Sequence, residues 1–172
     1  MSSDVDETGT VSSQTAERPI LVQKYGGTSV ATTEHIQRVA KRVLAKQRGG
    51  MDVVVVVSAM GKTTDQLVGL SKDVSSNPPR REMDMLLHAG EIISASLLAM
   101  AITEAGGKAV SFTGSQAGMI TDSTHTAARI EQVDGGRVLR NLREGRVVVI
   151  TGFQGMTRER EITTLGRGGS DT

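Results

Sequence analysis

The chain has 172 residues, with 20 Lys and Arg against 19 Asp and Glu and a formal net charge of +1. That balance, with only two Phe and one Tyr, offers neither the basic surface nor the stacking platforms that nucleic acid requires. Cysteine is absent, which excludes disulfides, thiolate metal sites and cysteine nucleophiles, while the length suffices for one domain with a real core.

Residues Met1 to Arg18 are rich in Ser, Thr, Asp and Glu. They lack the positive start and apolar middle of a secretory signal, and we expect a disordered tail (1–18) on a cytoplasmic protein. Ile20 to Lys24 reads as a buried strand. Thr32 is placed to cap a helix running to Arg48, with Ile36, Val39, Ala40, Val43 and Leu44 on one face and Gly49-Gly50 at its end. Val53 to Val57 is a run of five valines, the pattern of a central parallel strand covered on both faces. It is far too short to span a membrane. Thr63 is expected to open a second helix through Val74, and Asn77-Pro78-Pro79 breaks the chain. A Met-, Leu- and Ala-rich helix follows from Arg81 to Glu104, with a bend expected near Gly90. Strands are expected at 109–112, 119–121, 129–133 and 147–151, with a short helix at 136–143. This alternation predicts an α/β fold, a three-layer αβα sandwich around a mainly parallel sheet.

In such sheets ligands bind beyond the carboxyl ends of the strands. The distinctive segments fall there. Lys24-Tyr25-Gly26-Gly27-Thr28-Ser29 follows the first strand and offers a cation, two positions without side chains and two hydroxyls. Glycines let backbone N–H groups approach phosphate oxygens closely, and the lysine adds a point charge. Ser58-Ala59-Met60-Gly61 follows the valine strand, Thr113-Gly114 the third, and Gly152-Phe153-Gln154-Gly155 the last. Gly61-Lys62-Thr63 mimics the end of a Walker A loop, but its first glycine would fall on Val56 inside the strand, so no P-loop is expected. Ser58 and Thr64 could offer hydroxyls to a ligand. Glu91 lies between Leu86-Leu87 and Ile92-Ile93; it is either a solvated helix residue or a carboxylate reaching into a cleft toward a substrate ammonium. Arg167, between glycines, could grip a carboxylate bidentately or be an ordinary loop arginine. Ser170 and Asp171 read as a helix start. His35, His88 and His125 show no ligand spacing.

These strings resemble the aspartate kinases of the amino-acid kinase family. The likeness runs from Ile20 to Thr172 and includes the Lys24–Ser29 string, Val57 to Gly61, Met83 to Leu87, Gly90-Glu91, Phe112 to Gly118, Gly152 to Gly155 and Thr163 to Asp171. It implies transfer of a phosphoryl group from ATP, with Mg2+ carried by the nucleotide, to the β-carboxylate of L-aspartate. By the resemblance, Lys24 neutralises the transferring phosphoryl group and Asp171 helps organise Lys24 and the phosphoryl site. Gly26, Gly27, Thr28 and Ser29 meet the ATP phosphates. Ser58 and Thr64 help hold substrate, Glu91 its ammonium and Arg167 its α-carboxylate, with Gly168, Gly169 and Ser170 beside it. No general base is needed, since the acceptor carboxylate is already ionised. The likeness covers only the amino-terminal part of such a catalytic domain (19–172). An open sheet edge, low stability and weak or absent turnover are therefore expected of this chain alone, which could form homo-oligomers or pair with a fuller kinase chain. Two alternatives stay open: a non-catalytic amino-acid-binding or partner module, and a kinase of the same fold acting on another carboxylate.

Overall fold

The computed structural model describes residues 18–166. The tail before Arg18, and the expectations placed on Arg167, Gly168, Gly169, Ser170 and Asp171, lie outside the described residues. In chain order the elements are β1 (Ile20–Tyr25), a 3-10 turn (Gly27–Val30), α1 (Thr33–Arg48), β2 (Asp52–Val57), α2 (Thr63–Val74), α3 (Arg80–Glu104), β3 (Ala109–Phe112), β4 (Met119–Thr121), β5 (Ile130–Val133), α4 (Gly136–Arg143), β6 (Val147–Thr151), β7 (Gln154–Met156) and β8 (Ile162–Thr164).

Strands β1, β2, β6 and β3 form, in that order, an all-parallel sheet. Its register sets Val54 beside Val148 and Val55 beside Val149, so like-facing valines sit side by side. Val53, Val55, Val57, Val147 and Val149 pack against Val39, Val43 and Leu44 of α1 and Leu98 and Ile102 of α3. The alternate set, Val54, Val148 and Ile150, packs with Phe112, Ala117 and Leu142 of α4. Arg137 of α4 closes this second layer by stacking 4.4 Å from the Phe112 ring centroid. A valine taken wholly out of water contributes roughly 1.5–3 kcal/mol. The valine run therefore anchors both layers, and the three-layer αβα architecture follows from its two-faced burial.

Several local expectations are corrected. β1 lies at the sheet edge, with one face uncovered: Ile20 is 51% and Val22 63% exposed. Arg18 does not belong to a loose tail. Its guanidinium donates to the carbonyls of Gln47, Gly50 and Met51, tying the chain start to the turn that follows α1. Thr32 caps α1 by accepting from the His35 N–H, as its position predicts. Thr63 opens α2, which runs to Val74 as expected, but as its first helical residue rather than its cap; Lys62 holds the cap position and no side chain bonds the helix start. α3 continues through Gly90 as one helix. The glycine is there for close approach, since a Cβ would come within 3.1 Å of the Ala59 methyl. By length and composition α3 is apolar enough to cross a membrane, which the valine run is not. Here it is a packed helix, covering the parallel sheet with Leu98 and Ile102 and carrying Asp84 and Glu91 buried against other elements.

A second sheet, in the order β5, β4, β7, β8, went unforeseen beyond its β4–β5 pair. β4–β5 and β7–β8 are antiparallel, and β4 joins β7 in parallel. It stands at the carboxyl end of the first sheet, because β7 follows β6 after a two-residue turn in which Phe153 takes φ 62°. Its buried side chains are polar: Thr121, Gln154, Thr163 and Thr164.

Candidate active site

The loops after β1 and β2 are stitched together at the strand ends. The Ser58 N–H donates to the Tyr25 carbonyl (3.1 Å) and the Gly61 N–H to the Gly27 carbonyl (3.0 Å). Gly27 permits this approach; a Cβ there would lie 2.8 Å from the Ala59 carbonyl oxygen. Gly26 faces open space instead. The N–H groups of Gly26 and Gly27 donate to no acceptor among the described residues, and Lys24, Thr28 and Ser29 beside them are exposed. The result is an exposed rim that sets one lysine and two hydroxyl residues beside backbone donors with no acceptor among the described residues, a combination suited to oxyanions.

α3 enters from the other side. Ser94 donates its hydroxyl proton to the Ser58 carbonyl at 2.8 Å, fixing the end of β2 against the helix. One turn earlier, Glu91 is only 6% exposed. Its carboxylate accepts from the Ala59 N–H and from Gln154 Nε2 at 2.7 Å. Gln154 is fully buried and its amide orientation is fixed. Its Nε2 also donates to the His88 carbonyl (3.0 Å), while its Oε1 accepts from the Thr151 hydroxyl (2.7 Å), which in turn accepts from the Gly114 N–H (3.0 Å). Ends of β2, β3, β6 and β7 thus converge on one carboxylate. Burial pushes the Glu91 carboxyl up to about 7, against the opposing pull of the Gln154 and Ala59 donors. An acid poised there is converted to a carboxylate by an arriving cation.

Of the expected site residues, the structure brings Gly27, Ser58 and Glu91 into one bonded assembly, with Lys24, Gly26, Thr28 and Ser29 on the adjoining rim. Thr64 sits exposed in the first turn of α2, its hydroxyl not spent on capping. Gln154 and Thr151 were not foreseen as site residues. Nor was Asp84, which is fully buried and accepts from the Thr126 N–H and the Thr164 hydroxyl, with His125 Nδ1 2.6 Å away. The only prior sign was the presence of Asp84 and Gln154 inside strings already singled out. Burial lowers His88 below the ordinary histidine value. Among the described residues no group of three His, Asp or Glu side chains could hold a metal ion.

The fold and this arrangement define a class before any individual relative is considered. The chain belongs to the Amino acid kinase family, whose profile matches residues 19–172. Within that family its similarity is to aspartokinases. It is 60% identical over 153 residues to the aspartokinase of Geobacillus stearothermophilus, covering 89% of this chain and 38% of that protein. A crystal structure of aspartate kinase from Synechocystis superposes with a TM-score of 0.73 at 52% identity, over 90% of this chain and 25% of that one. Aspartokinase III of E. coli, in complex with aspartate and ADP, shares the fold with a TM-score of 0.76 at 24% identity, over 89% of this chain and 44% of that one. The chain therefore covers less than half the length of each of these relatives.

Proposed function

We propose that this chain is the aspartate- and phosphate-contacting part of an aspartate kinase, which transfers the ATP γ-phosphoryl group to the β-carboxylate of L-aspartate and yields 4-phospho-L-aspartate. The observation that carries this is the buried Glu91 carboxylate, held by Ala59 and Gln154 at the strand ends beside the Gly26-Gly27 rim. Glu91 takes the substrate ammonium, and Ser58 and Thr64 offer hydroxyls. Lys24 and the N–H groups of Gly26 and Gly27 take phosphate oxygens, with Thr28 and Ser29 at the rim. Arg167, flanked by Gly168, Gly169 and Ser170, takes the α-carboxylate, and Asp171 organises Lys24. Mg2+ arrives on the nucleotide phosphates. Catalysis then rests on placement and charge stabilisation rather than on proton transfer. The acyl phosphate would open a cytoplasmic route to lysine, threonine, methionine and diaminopimelate.

Because the match covers only 38% of the Geobacillus protein, turnover is proposed for a protein of that full length and substrate binding for the chain itself. Calorimetric titration with aspartate and with succinate, which lacks the amine, tests the assignment. Aspartate should bind, Glu91→Gln should weaken it strongly, and succinate should be insensitive to that substitution. Equal effects on the two ligands would remove Glu91 from the ammonium site. In the longer protein, Arg167→Lys should raise the KM for aspartate far more than that for ATP.

A further inference from the structure

The carboxyl end of β1 carries a second feature on its α1 side. Side chains alternate along a strand, so Tyr25 packs toward α1 while Lys24 stands on the opposite face. There Tyr25, Thr28 and Ser29 meet His35, Arg38 and Arg42 around a cavity of about 290 Å³. Spacing builds the helical wall: residues 35, 38 and 42 lie three and four apart, a stripe beside the apolar one that α1 buries. Small-molecule sites begin at roughly 300 Å³, so this cavity suits a compact ligand.

The lining is cationic and hydroxylic, and no carboxylate contributes to it. Arg38 and Arg42 are exposed, and neither guanidinium has an ion-pair or hydrogen-bond partner among the described residues. Glu34, the one acid in α1 against five Lys and Arg, instead accepts from the Thr33 hydroxyl at 3.3 Å. Like charges one turn apart oppose helix formation, so α1 gains nothing from the arginine pair by itself. His35 Nδ1 is buried without a hydrogen-bond partner among the described residues, a condition in which native folds rarely leave a polar atom.

We propose that this cavity binds a phosphate dianion, either inorganic phosphate or the phosphate group of a small monoester. A monocarboxylate has two oxygens and is satisfied by one guanidinium fork. A phosphate has oxygens for two forks and for hydroxyl donors besides. Arg38 and Arg42 take its charge, Thr28 and Ser29 donate hydroxyl protons, and His35 closes the cavity beside them. Tyr25 supplies a wall rather than a proton, because its hydroxyl donates to Gln23 Oε1 at 3.4 Å. The cavity lies across β1 from Lys24 and owes nothing to the assignment of Glu91. Thr28 and Ser29 also border the Gly26-Gly27 rim, so a ligand here touches that rim from behind.

The test titrates the 172-residue chain with inorganic phosphate and, separately, with glycerol 3-phosphate, at constant ionic strength, and follows amide chemical shifts. Shifts at Thr28, Ser29, His35 and Arg38 should move and saturate, and the tighter of the two ligands tells free phosphate from an ester. Arg38→Gln and Arg42→Gln should each weaken binding about tenfold. Lys41→Gln, which removes an α1 charge outside the lining, should stay within twofold of the parent. Both arginines are exposed and unpartnered among the described residues, so the variants should fold as the parent does. Phosphate should raise the thermal midpoint of the parent but not that of the double variant, since a ligand stabilises only the fold that binds it. Shifts confined to Gly26 and Gly27 would overturn the proposal and leave the phosphate rim standing. No saturable binding of either ligand, an equal response to chloride, or an equal loss in Lys41→Gln would overturn it too.

Discussion

Glu91 makes stability depend on pH in a direction opposite to that of an ordinary paired carboxylate. Its carboxyl is pushed from the ordinary 4.5 to about 7 by burial. The folded chain therefore keeps a proton that the unfolded chain releases near 4.5. Between those two values the folded state binds more protons, so stability falls as pH rises and levels off above about 7.5. The full shift corresponds to roughly 3 kcal/mol. Glu91→Gln removes the titration. His88 acts in the opposite sense, since burial depresses it and its folded form resists protonation, but it is common to both chains and cancels in their difference. Urea unfolding of the parent and Glu91→Gln at pH 5, 6, 7 and 8 should show the variant gaining on the parent by about 2–3 kcal/mol across that range, nearly all of it below pH 7.5. Any fixed offset from altered hydrogen bonding to Gln154 leaves that slope untouched. A difference that stays constant with pH would refute the claim that burial raises the Glu91 carboxyl in the ligand-free fold.

If a substrate ammonium recharges Glu91, aspartate binding at pH 6.5 should release protons. Calorimetry in buffers of different ionisation enthalpy should detect this, with the release vanishing near pH 8.5. Gly27→Ala should cost about 1–3 kcal/mol in urea unfolding, because its new methyl meets the fixed Ala59 carbonyl. Gly26→Ala meets nothing and should unfold like the parent while weakening phosphate or nucleotide binding in a direct titration. Gln154→Ala should cost about 3 kcal/mol at pH 8, where an ionised Glu91 loses its donor, and distinctly less at pH 5, where Glu91 already holds a proton; equal costs at both pH values would separate Gln154 from the carboxylate.

What could be seen from the chain alone divides along a physical line. The valine run, the apolar stripe of α1 and the Thr32 cap are determined within a few residues, and the fold class with its strand-end loops follows from them. The residues that organise the site are determined across elements. Gln154 and Thr164 sit in three-residue strands whose glycines and threonines look like loop, and their burial comes from hydrogen bonds to Glu91 and Asp84 rather than from apolar content. Glu91 itself was ambiguous, and the apolar neighbours that hinted at burial point the wrong way: Ile92 is 37% and Ile93 50% exposed. The usable signal was helix phase. The inward stripe of α3 is apolar at Ala95, Leu98 and Ile102, where it covers the parallel sheet, and polar at Asp84, Glu91 and Ser94, where it runs past the strand ends. A buried stripe changes from apolar to polar only where partners exist to satisfy it. That change along α3 marks where the helix leaves the core of the fold and becomes a wall of the site.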